Sequence, residues 1–241
     1  MILVKELKRY ASKDRKKING YFFKTSKGEY GEGDIFMGVR VPDIRIVVKQ
    51  NLDLNFVELQ KYISSEFHEV RLCTILILVE KNKKVEKKER KKILKFYLKN
   101  LKYINNWDLV DLSAYYILGQ AILDGLEKEK ILDKLVVSKI LWERRVGIIA
   151  TWIFIRNKKI NTVLRLSKKL LGDKEDLIHK AVGWMLREAW KKDVQKVEDF
   201  LCQNYSQLPR TTLRYAIERM EEKKRKQFLK GNELTKIIQS I

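Results

Sequence analysis

The sequence has few residues of the kinds that end helices or cross-link chains. Only two prolines, Pro42 and Pro209, occur in 241 residues, and each stands just before a helical pattern, where a first-turn proline is tolerated. Cys73 and Cys202 are the only cysteines, and two isolated cysteines make neither a disulfide framework nor a zinc site. Few prolines combined with abundant Leu, Ile, Lys and Glu predict an all-α protein.

Metal-ligand patterns and long apolar runs are missing as well. His68 and His179 are too few and too widely separated to suggest a metal, so we expect no metal and no cofactor. No stretch approaches the ~18 apolar residues that a membrane span needs. Residues 1–10 carry four charged side chains and no long apolar run, which speaks against a secretory signal. We therefore expect a cytoplasmic protein that does not associate with a membrane.

Acidic residues are scarce relative to basic ones. The chain has 52 Lys and Arg against 31 Asp and Glu, for a formal net charge of +21. Such an excess predicts a polyanionic partner, and nucleic acid is the commonest. Two alternatives stay open on charge alone: lysine-rich but merely solvated helix faces, which residues 83–92 resemble, and a scaffold for an acidic protein partner.

The helical patterns come in pairs that repeat along the chain. Apolar second helices open near residues 68, 107, 142, 178 and 210, a spacing of about 32 to 39 residues. A more charged amphipathic helix precedes each one, at residues 56–65, 86–100, 128–138, 160–171 and 194–205. This period is typical of a HEAT- or armadillo-like solenoid, a right-handed α-α superhelix of stacked antiparallel helix pairs.

We predict a single domain over residues 1–241. Its N-terminal helices lie within residues 1–55, five helix pairs occupy residues 56–220, and residues 221–241 form a polar cap. The four glycines of residues 25–38, TSKGEYGEGDIFMG, could suggest a phosphate-cradling loop. No strand precedes them, however, and Glu29, Glu32 and Asp34 would repel phosphate. We expect a structured turn that leads into the helix near Pro42.

Residues 105–123 are predicted to form one helix, capped by Asn105 or Asn106. Asp111 is its only charged residue from position 109 onward, and a fully buried, unpaired carboxylate would cost several kcal/mol, roughly. Asp111 therefore either has a partner or lies at a wet cleft. Trp107 projects from the same helix face. The structural alternative makes Trp107 ordinary packing and Asp111 a partner of Arg145.

In a solenoid, the second helices line the concave side, so matching positions of successive repeats form a row. Arginine and lysine in such a row would neutralise phosphates, and aromatic rings between them would pack on sugar or base. The predicted row consists of Arg71, Asp111, Arg145, then Lys180 or Trp184, and finally Arg210 or Arg214.

Five segments together resemble the AlkD family of DNA alkylation repair glycosylases. They are FMGVRVPDIR (36–45), NNWDLVD (105–111), LWERRVGIIATW (141–152), DLIHKAVGWMLREAW (176–190) and LPRTTLRYAIERM (208–220). The resemblance runs from about residue 21 to about residue 229. It implies a curved HEAT-like solenoid that grips duplex DNA and hydrolyses the N-glycosidic bond of N3- and N7-alkylated purines without flipping the lesion into a pocket.

The resemblance also implies roles for individual residues. Trp107 and Trp184 match the two active-site tryptophans, Asp111 the catalytic acid, Arg145 the cleft arginine, and Arg187 a basic residue beside that cleft. We expect a monomer that acts on alkylated double-stranded DNA.

Two features depart from the family pattern. They are the acidic GEYGEGD loop and the phenylalanines near Phe22, where the best-known short form has a tyrosine. A non-catalytic binder of bent or damaged DNA is therefore the alternative function.

Overall fold

The computed structural model describes residues 2–230, and within them it contains helices and no strands. The predicted all-α class is thereby confirmed for this part of the chain. The chain divides into two compact units, with the boundary after Ala121. We refer to them as the N-terminal unit and the C-terminal unit.

The N-terminal unit is built around one long apolar helix. Its helices are α1 (Ile2–Lys8), α2 (Lys13–Phe22), α3 (Val41–Gln50), α4 (Phe56–Ile63), α5 (His68–Lys84), α6 (Lys87–Lys99), α7 (Trp107–Asp111) and α8 (Gln120–Leu123), the last of which spans the boundary. Every residue of α5 from Val70 to Val79 is buried, because α1, α3, α4 and α6 pack around it. Cys73 lies in this core as a buried free thiol.

Local sequence explains where several of these helices begin and end. The Asn55 side chain accepts hydrogen bonds from the amides of Val57 and Glu58, and Glu58 accepts one from the amide of Asn55, a reciprocal capping box. Pro42 lies in the first turn of α3, as predicted. At the end of α6, the Asn100 side chain donates to the carbonyl of Phe96 at 2.9 Å and satisfies an acceptor that the helix leaves open.

The C-terminal unit is built around α13. Its helices are α9 (Lys130–Leu135), α10 (Leu141–Ile149), α11 (Trp152–Arg156), α12 (Asn161–Leu170), α13 (Asp176–Trp190), α14 (Val194–Gln203), α15 (Arg210–Ala216) and α16 (Glu222–Lys230). Helix α13 packs against α10, α12, α14 and α15. Gly183 permits the contact with α15, because a Cβ there would lie 2.5 Å from Cβ of Tyr215 and 2.6 Å from the carbonyl oxygen of Thr212.

The five predicted first helices correspond to α4, α6, α9, α12 and α14, and second helices open at α5, α7, α10, α13 and α15. The packing of α4 on α5, α9 on α10 and α12 on α13 agrees with antiparallel pairing. The superhelical arrangement of the pairs stays a prediction. Of the predicted cap, α16 covers residues 222–230, and residues 231–241 lie outside the described part.

Residues 105–123 differ from the single helix that we predicted. Helix α7 ends at Asp111, a turn follows, and Tyr115–Gly119 forms a π-helical turn before α8. The hydroxyl of Ser113 donates to the carbonyl of Leu109 at 2.6 Å, and such a bond competes with the regular helical pattern. Short π-helical turns inside helices are frequent at functional sites.

In residues 2–230, no helix is both long enough and apolar enough to cross a membrane.

Candidate active site

Trp107 and Asp111 lie at the two ends of the five-residue helix α7, and both side chains are half-buried. Asn106 caps this helix, because its side-chain oxygen accepts a hydrogen bond of 2.8 Å from the amide of Trp107. The predicted cap is therefore confirmed at Asn106. Burial raises the pKa of the Tyr97 phenol above its usual value, and the nearby charge of Asp111 acts in the same direction. Asp111 thus lies close to that phenol and is only partly covered.

The indole of Trp107 belongs to a stack of rings that we call the aromatic stack: Trp107, Phe23, Phe36 and His68. Phe23 lies almost parallel to Trp107, with centroids 5.2 Å apart and planes inclined by 12°. Phe36 continues the stack, with its centroid 4.8 Å from that of Phe23 and 4.5 Å from that of His68. Phe22 meets the indole edge-on at 5.8 Å and remains 59% exposed. Phe22 is therefore accessible to a ligand, whereas Phe36 and His68 lie in the protein interior.

His68, the last ring of the stack, also belongs to a group of four buried charged residues that we call the charge cluster: Asp34, His68, Arg71 and Asp108. His68 Nδ1 is 3.1 Å from Asp34 Oδ2, and His68 Nε2 is 2.8 Å from Asp108 Oδ2. Arg71 donates to Asp34 Oδ1 at 2.5 Å. With His68 protonated, the cluster contains two cations and two anions and is neutral, as buried charges require.

The charge cluster shifts the pKa values of two of its members, His68 and Asp34. Burial alone would lower the pKa of His68, but the charges and hydrogen bonds of Asp108 and Asp34 outweigh burial and raise it to about 9. Burial alone would raise the pKa of Asp34, but the hydrogen bond from His68 and the charge of Arg71 lower it to about 2. His68 and Asp34 are therefore both ionised at neutral pH.

The cluster connects the glycine-rich segment to α7. Asp34 comes from residues 25–38, His68 begins α5, and Asp108 lies in the first turn of α7. Asn106 reinforces the connection by donating to Asp34 Oδ2 at 3.0 Å. The first turn of α7, which carries Trp107, is thereby fixed against two other segments. The glycine-rich segment is more than a turn, because it supplies the central anion of the cluster.

A second buried acid holds the end of the same segment. The carboxylate of Glu69 accepts hydrogen bonds from three consecutive backbone amides, those of Met37 at 2.9 Å, Gly38 at 2.8 Å and Val39 at 3.1 Å. Gly38 has a φ of +84°, and a Cβ there would lie 2.2 Å from the carbonyl oxygen of Ser12. Glycine at this position therefore lets the chain pass close to the start of α2.

Arg71 does not occupy the exposed place that a phosphate-binding row would need. Its residue is 4% exposed, and its guanidinium donates to Asp34 and to the carbonyls of Ser65 and Glu66. The structure thus gives Arg71 partners inside the protein. The reason is Asp34, whose proximity could not be deduced from spacing along the chain.

In the C-terminal unit, the adjacent arginines of α10 take different positions. Arg145 is 5% exposed and donates to the carbonyl of Leu177 at 2.5 Å. Arg144 forms an ion pair with Asp173 at 2.6 Å. The hydrogen bond of Arg145 to Leu177 links α10 to the start of α13. Trp184, also on α13, is half-buried.

The other basic residues predicted for this unit, from the row and from the family resemblance, lie nearer its surface. Lys180 pairs with Asp176 at 2.7 Å, and the half-buried Arg187 pairs with Glu218. The predicted terminal residues of the row, Arg210 and Arg214, are both exposed, and Arg210 donates to the carbonyl of Leu229 at 2.9 Å.

The members of this site that lie far from α7 along the chain could not be identified from the sequence. Phe23, Asp34 and His68 are separated from Trp107 by dozens of residues, so no local pattern joins them. One signal was present: His68 and Glu69 open an otherwise apolar helix, and polar residues at such a position need partners. Within residues 2–230, no group of three or more His, Cys, Asp or Glu side chains is arranged to hold a metal ion.

Comparison with known proteins agrees with this architecture. A family model described as "DNA alkylation repair enzyme" matches residues 3–220. A solved structure described as a predicted DNA alkylation repair enzyme from Enterococcus faecalis is similar in fold, with a TM-score of 0.68 and 16% identity over 88% of this chain and 97% of that one. No curated protein matches the chain. Because the family model spans nearly all of the described residues, the chain belongs to the DNA alkylation repair enzyme family.

Proposed function

We propose that the protein is a DNA glycosylase that hydrolyses the N-glycosidic bond of cationic N3- and N7-alkylated purines in duplex DNA. One observation carries the proposal: a carboxylate and an indole lie four residues apart on α7, both half-buried, on a helix whose first turn is fixed by the charge cluster. A catalytic group needs a fixed orientation, and the support of this helix is consistent with that need.

The chemistry requires little from the protein beyond charge and position. An N3- or N7-alkylpurine already carries a positive charge, so it can leave with the bonding electron pair and needs no proton from a general acid. The sugar then approaches an oxocarbenium ion, which the carboxylate of Asp111 stabilises. Asp111 also orients a water molecule, takes its proton as the new C1′–O bond forms, and later releases that proton to solvent.

The aromatic residues hold the cationic base. The face of an indole attracts a cation by roughly 0.5 to 2 kcal/mol, depending on exposure. Phe23 covers one face of Trp107, and Phe22 meets the indole edge-on, so the nucleotide is proposed to contact the part of the ring that these two residues leave exposed. Phe22 and Phe23 fill the place of the family's tyrosine with rings that lack a hydroxyl, so they act through packing alone.

For the C-terminal unit, the proposal combines residues implied by the family resemblance with the basic residues of the predicted row. Trp184 is proposed as the second indole of the site. Exposed Arg210 and Arg214 are proposed as phosphate ligands, together with Lys180 and Arg187 once their ion pairs exchange for phosphate. Arg145 is proposed to keep the start of α13 in place, because its guanidinium is bound to Leu177.

The test is release of 7-methylguanine and 3-methyladenine from methylated duplex DNA, measured by chromatography of the free bases. Asp111→Asn removes the charge at nearly constant volume and should lower the rate about 100-fold or more. The control is Asp53→Asn, which removes an exposed acid from the same unit and should leave the rate unchanged. Equal rates for wild type and Asp111→Asn would refute the assigned role.

DNA binding measured in parallel distinguishes the other candidate functions. Tight, salt-dependent binding without base release by the wild type would identify a non-catalytic binder of damaged DNA. Absence of DNA retention at moderate salt would instead favour a scaffold for an acidic protein. Trp184→Ala should weaken base release in the same assay, and an unchanged rate would remove Trp184 from the site.

A further inference from the structure

A cleft of about 760 Å³ lies between α2 and the glycine-rich segment of the N-terminal unit. Helix α2 contributes Lys13, Lys16 and Lys17 to its lining, and the glycine-rich segment contributes Ile35 and Phe36. The proposed catalytic residues Trp107 and Asp111 are not part of its lining. The cleft is therefore a separate feature that base chemistry does not explain.

Helix α2 is unusual because none of its residues is buried. Three of its four basic residues, Lys13, Lys16 and Lys17, follow the i, i+3, i+4 spacing that places side chains on one helix face. The rise of 1.5 Å per residue puts Lys13 and Lys17 about 6 Å apart along the axis. A DNA strand advances about 3.4 Å per nucleotide along the duplex, so the lysines span roughly two phosphates.

An exposed aromatic ring stands at the end of the same helix. Tyr21 lines the cleft and is 80% exposed, the most open of the large apolar residues described. Lys24 lies over its ring, with Nζ 5.3 Å from the centroid. Lysines for phosphates beside an exposed ring for a sugar or base are the combination that proteins use to follow a nucleic-acid strand.

Negative charge on the cleft wall would oppose this partner, and the structure shows how it is neutralised. Asp34 is the acidic residue among the lining groups, but it is 9% exposed and its carboxylate is bound by Arg71 and His68. The other lining residues of the glycine-rich segment are uncharged: Thr25, Ser26, Ile35 and Phe36.

We propose that this cleft is a second DNA-binding surface, which holds the backbone of one strand of a duplex outside the catalytic site. Lys13, Lys16 and Lys17 neutralise its phosphates, and Tyr21 packs against a sugar. The cleft and the aromatic stack share Phe36, so a strand held here runs beside the Trp107 site within the same unit. Binding at this surface does not depend on lesion chemistry or on Asp111.

The experiment measures the affinity for an unmodified, fluorescein-labelled duplex across a salt series. All proteins carry Asp111→Asn, so base release does not enter the result. The test variant is the triple change Lys13→Gln, Lys16→Gln and Lys17→Gln. The matched control is Lys88→Gln, Lys91→Gln and Lys95→Gln, which removes the same charge from exposed positions on α6.

The slope of log K against log salt should become shallower by about 0.9 for each phosphate that is no longer neutralised, so by about 2 to 3 in the cleft variant. The α6 variant should change the slope by less than one unit. Tyr21→Ala should weaken binding several-fold, Tyr21→Phe should not, and Tyr10→Ala serves as the control for removal of an exposed ring. Thermal melting confirms that each variant is folded.

Equal slopes for the cleft and α6 variants would overturn the proposal, because general charge would then account for binding. Specific binding of a mononucleotide such as dAMP, combined with an unchanged duplex slope in the cleft variant, would also overturn it and make the cleft a small-ligand site. Failure of base release by the wild type would refute the glycosylase proposal and leave the expected slopes untouched.

Discussion

Replacement of His68 by glutamine removes the one cation that the charge cluster places between its two carboxylates. His68 bridges Asp34 and Asp108 at 3.1 and 2.8 Å, and its residue is 1% exposed. Glutamine can still donate a hydrogen bond to one carboxylate, but the cluster would be left with a net negative charge. Removal of one partner from a buried ion pair costs about 3 to 5 kcal/mol.

The raised pKa of His68 gives a second measure of how much its positive charge stabilises the folded state. A shift from 6.5 to about 9 corresponds to about 3 kcal/mol, at 1.36 kcal/mol per unit. A pKa that is higher in the folded state stabilises the fold below the unfolded pKa. That stabilisation is fully present below about pH 6.5 and disappears as pH rises through about 9. The free energy of unfolding should therefore fall by about 3 kcal/mol across this interval.

Urea denaturation at a series of pH values from 6 to 10 measures this dependence. The difference in unfolding free energy between wild type and His68→Gln should be largest at pH 6 and should shrink toward pH 10. His179→Gln is the matched control, since it removes the only other histidine, which is half-buried and contacts the carbonyl oxygen of Asp173. This control shows how much of the change comes from the loss of a histidine other than His68.

The same histidine can be followed without mutation of the cluster. Proton NMR of the two imidazole rings, with the His179 signal assigned from its variant, should show no titration of His68 between pH 6 and 8. A His68 midpoint near 6.5, or a His68→Gln protein with the same pH dependence as wild type, would refute the reasoning.

Three further predictions concern the packing and the buried acids. Gly183→Ala should destabilise the protein by about 1 to 3 kcal/mol in urea melts, because the new Cβ would overlap α15, whereas Gly172→Ala, with open space around it, should cost far less. Glu69→Gln should cost about 2 to 3 kcal/mol, since it weakens charge-assisted bonds to three amides, while Glu66→Gln on the surface should be nearly neutral. The lowered pKa of Asp34 contributes about 2 kcal/mol that is present above pH 3.8 and lost as pH falls toward 2, so Asp34→Asn should flatten the acid limb of the stability curve.

Helix positions could be predicted because they follow from local rules. The apolar spacing that defines α5, α13 and the charged helix before each of them is a property of neighbouring residues, and so are the caps at Asn55 and Asn106. The interruption after Asp111 was not foreseen, because residues 109–123 are almost uniformly apolar. The hydroxyl of Ser113 competes for a helical carbonyl there, and its effect depends on Tyr97, which bonds to it at 3.0 Å from another helix.

The site was only partly predictable for the same physical reason. Trp107 and Asp111 could be identified because they share one helix face. The residues that orient them come from other segments, and Asp34 and His68 meet only after the chain has folded. The sequence showed an acidic loop and an isolated histidine, and neither indicated the other. For Arg71 and Arg145 the spacing along the chain was misleading. It predicted cations that face a DNA backbone, but in the folded protein both side chains are buried and bind internal partners.

The neutrality of the charge cluster has a consequence for how the protein can change over generations. A substitution at Asp34, His68, Arg71 or Asp108 alone leaves one uncompensated charge in the interior, whereas replacement of a whole buried set by apolar residues is often tolerated. Drift at these four positions must therefore proceed through compensating pairs or a concerted exchange, each step coupled to the last. A descendant that reached the apolar solution would keep its fold but would have to find another way to hold the helix that carries its tryptophan.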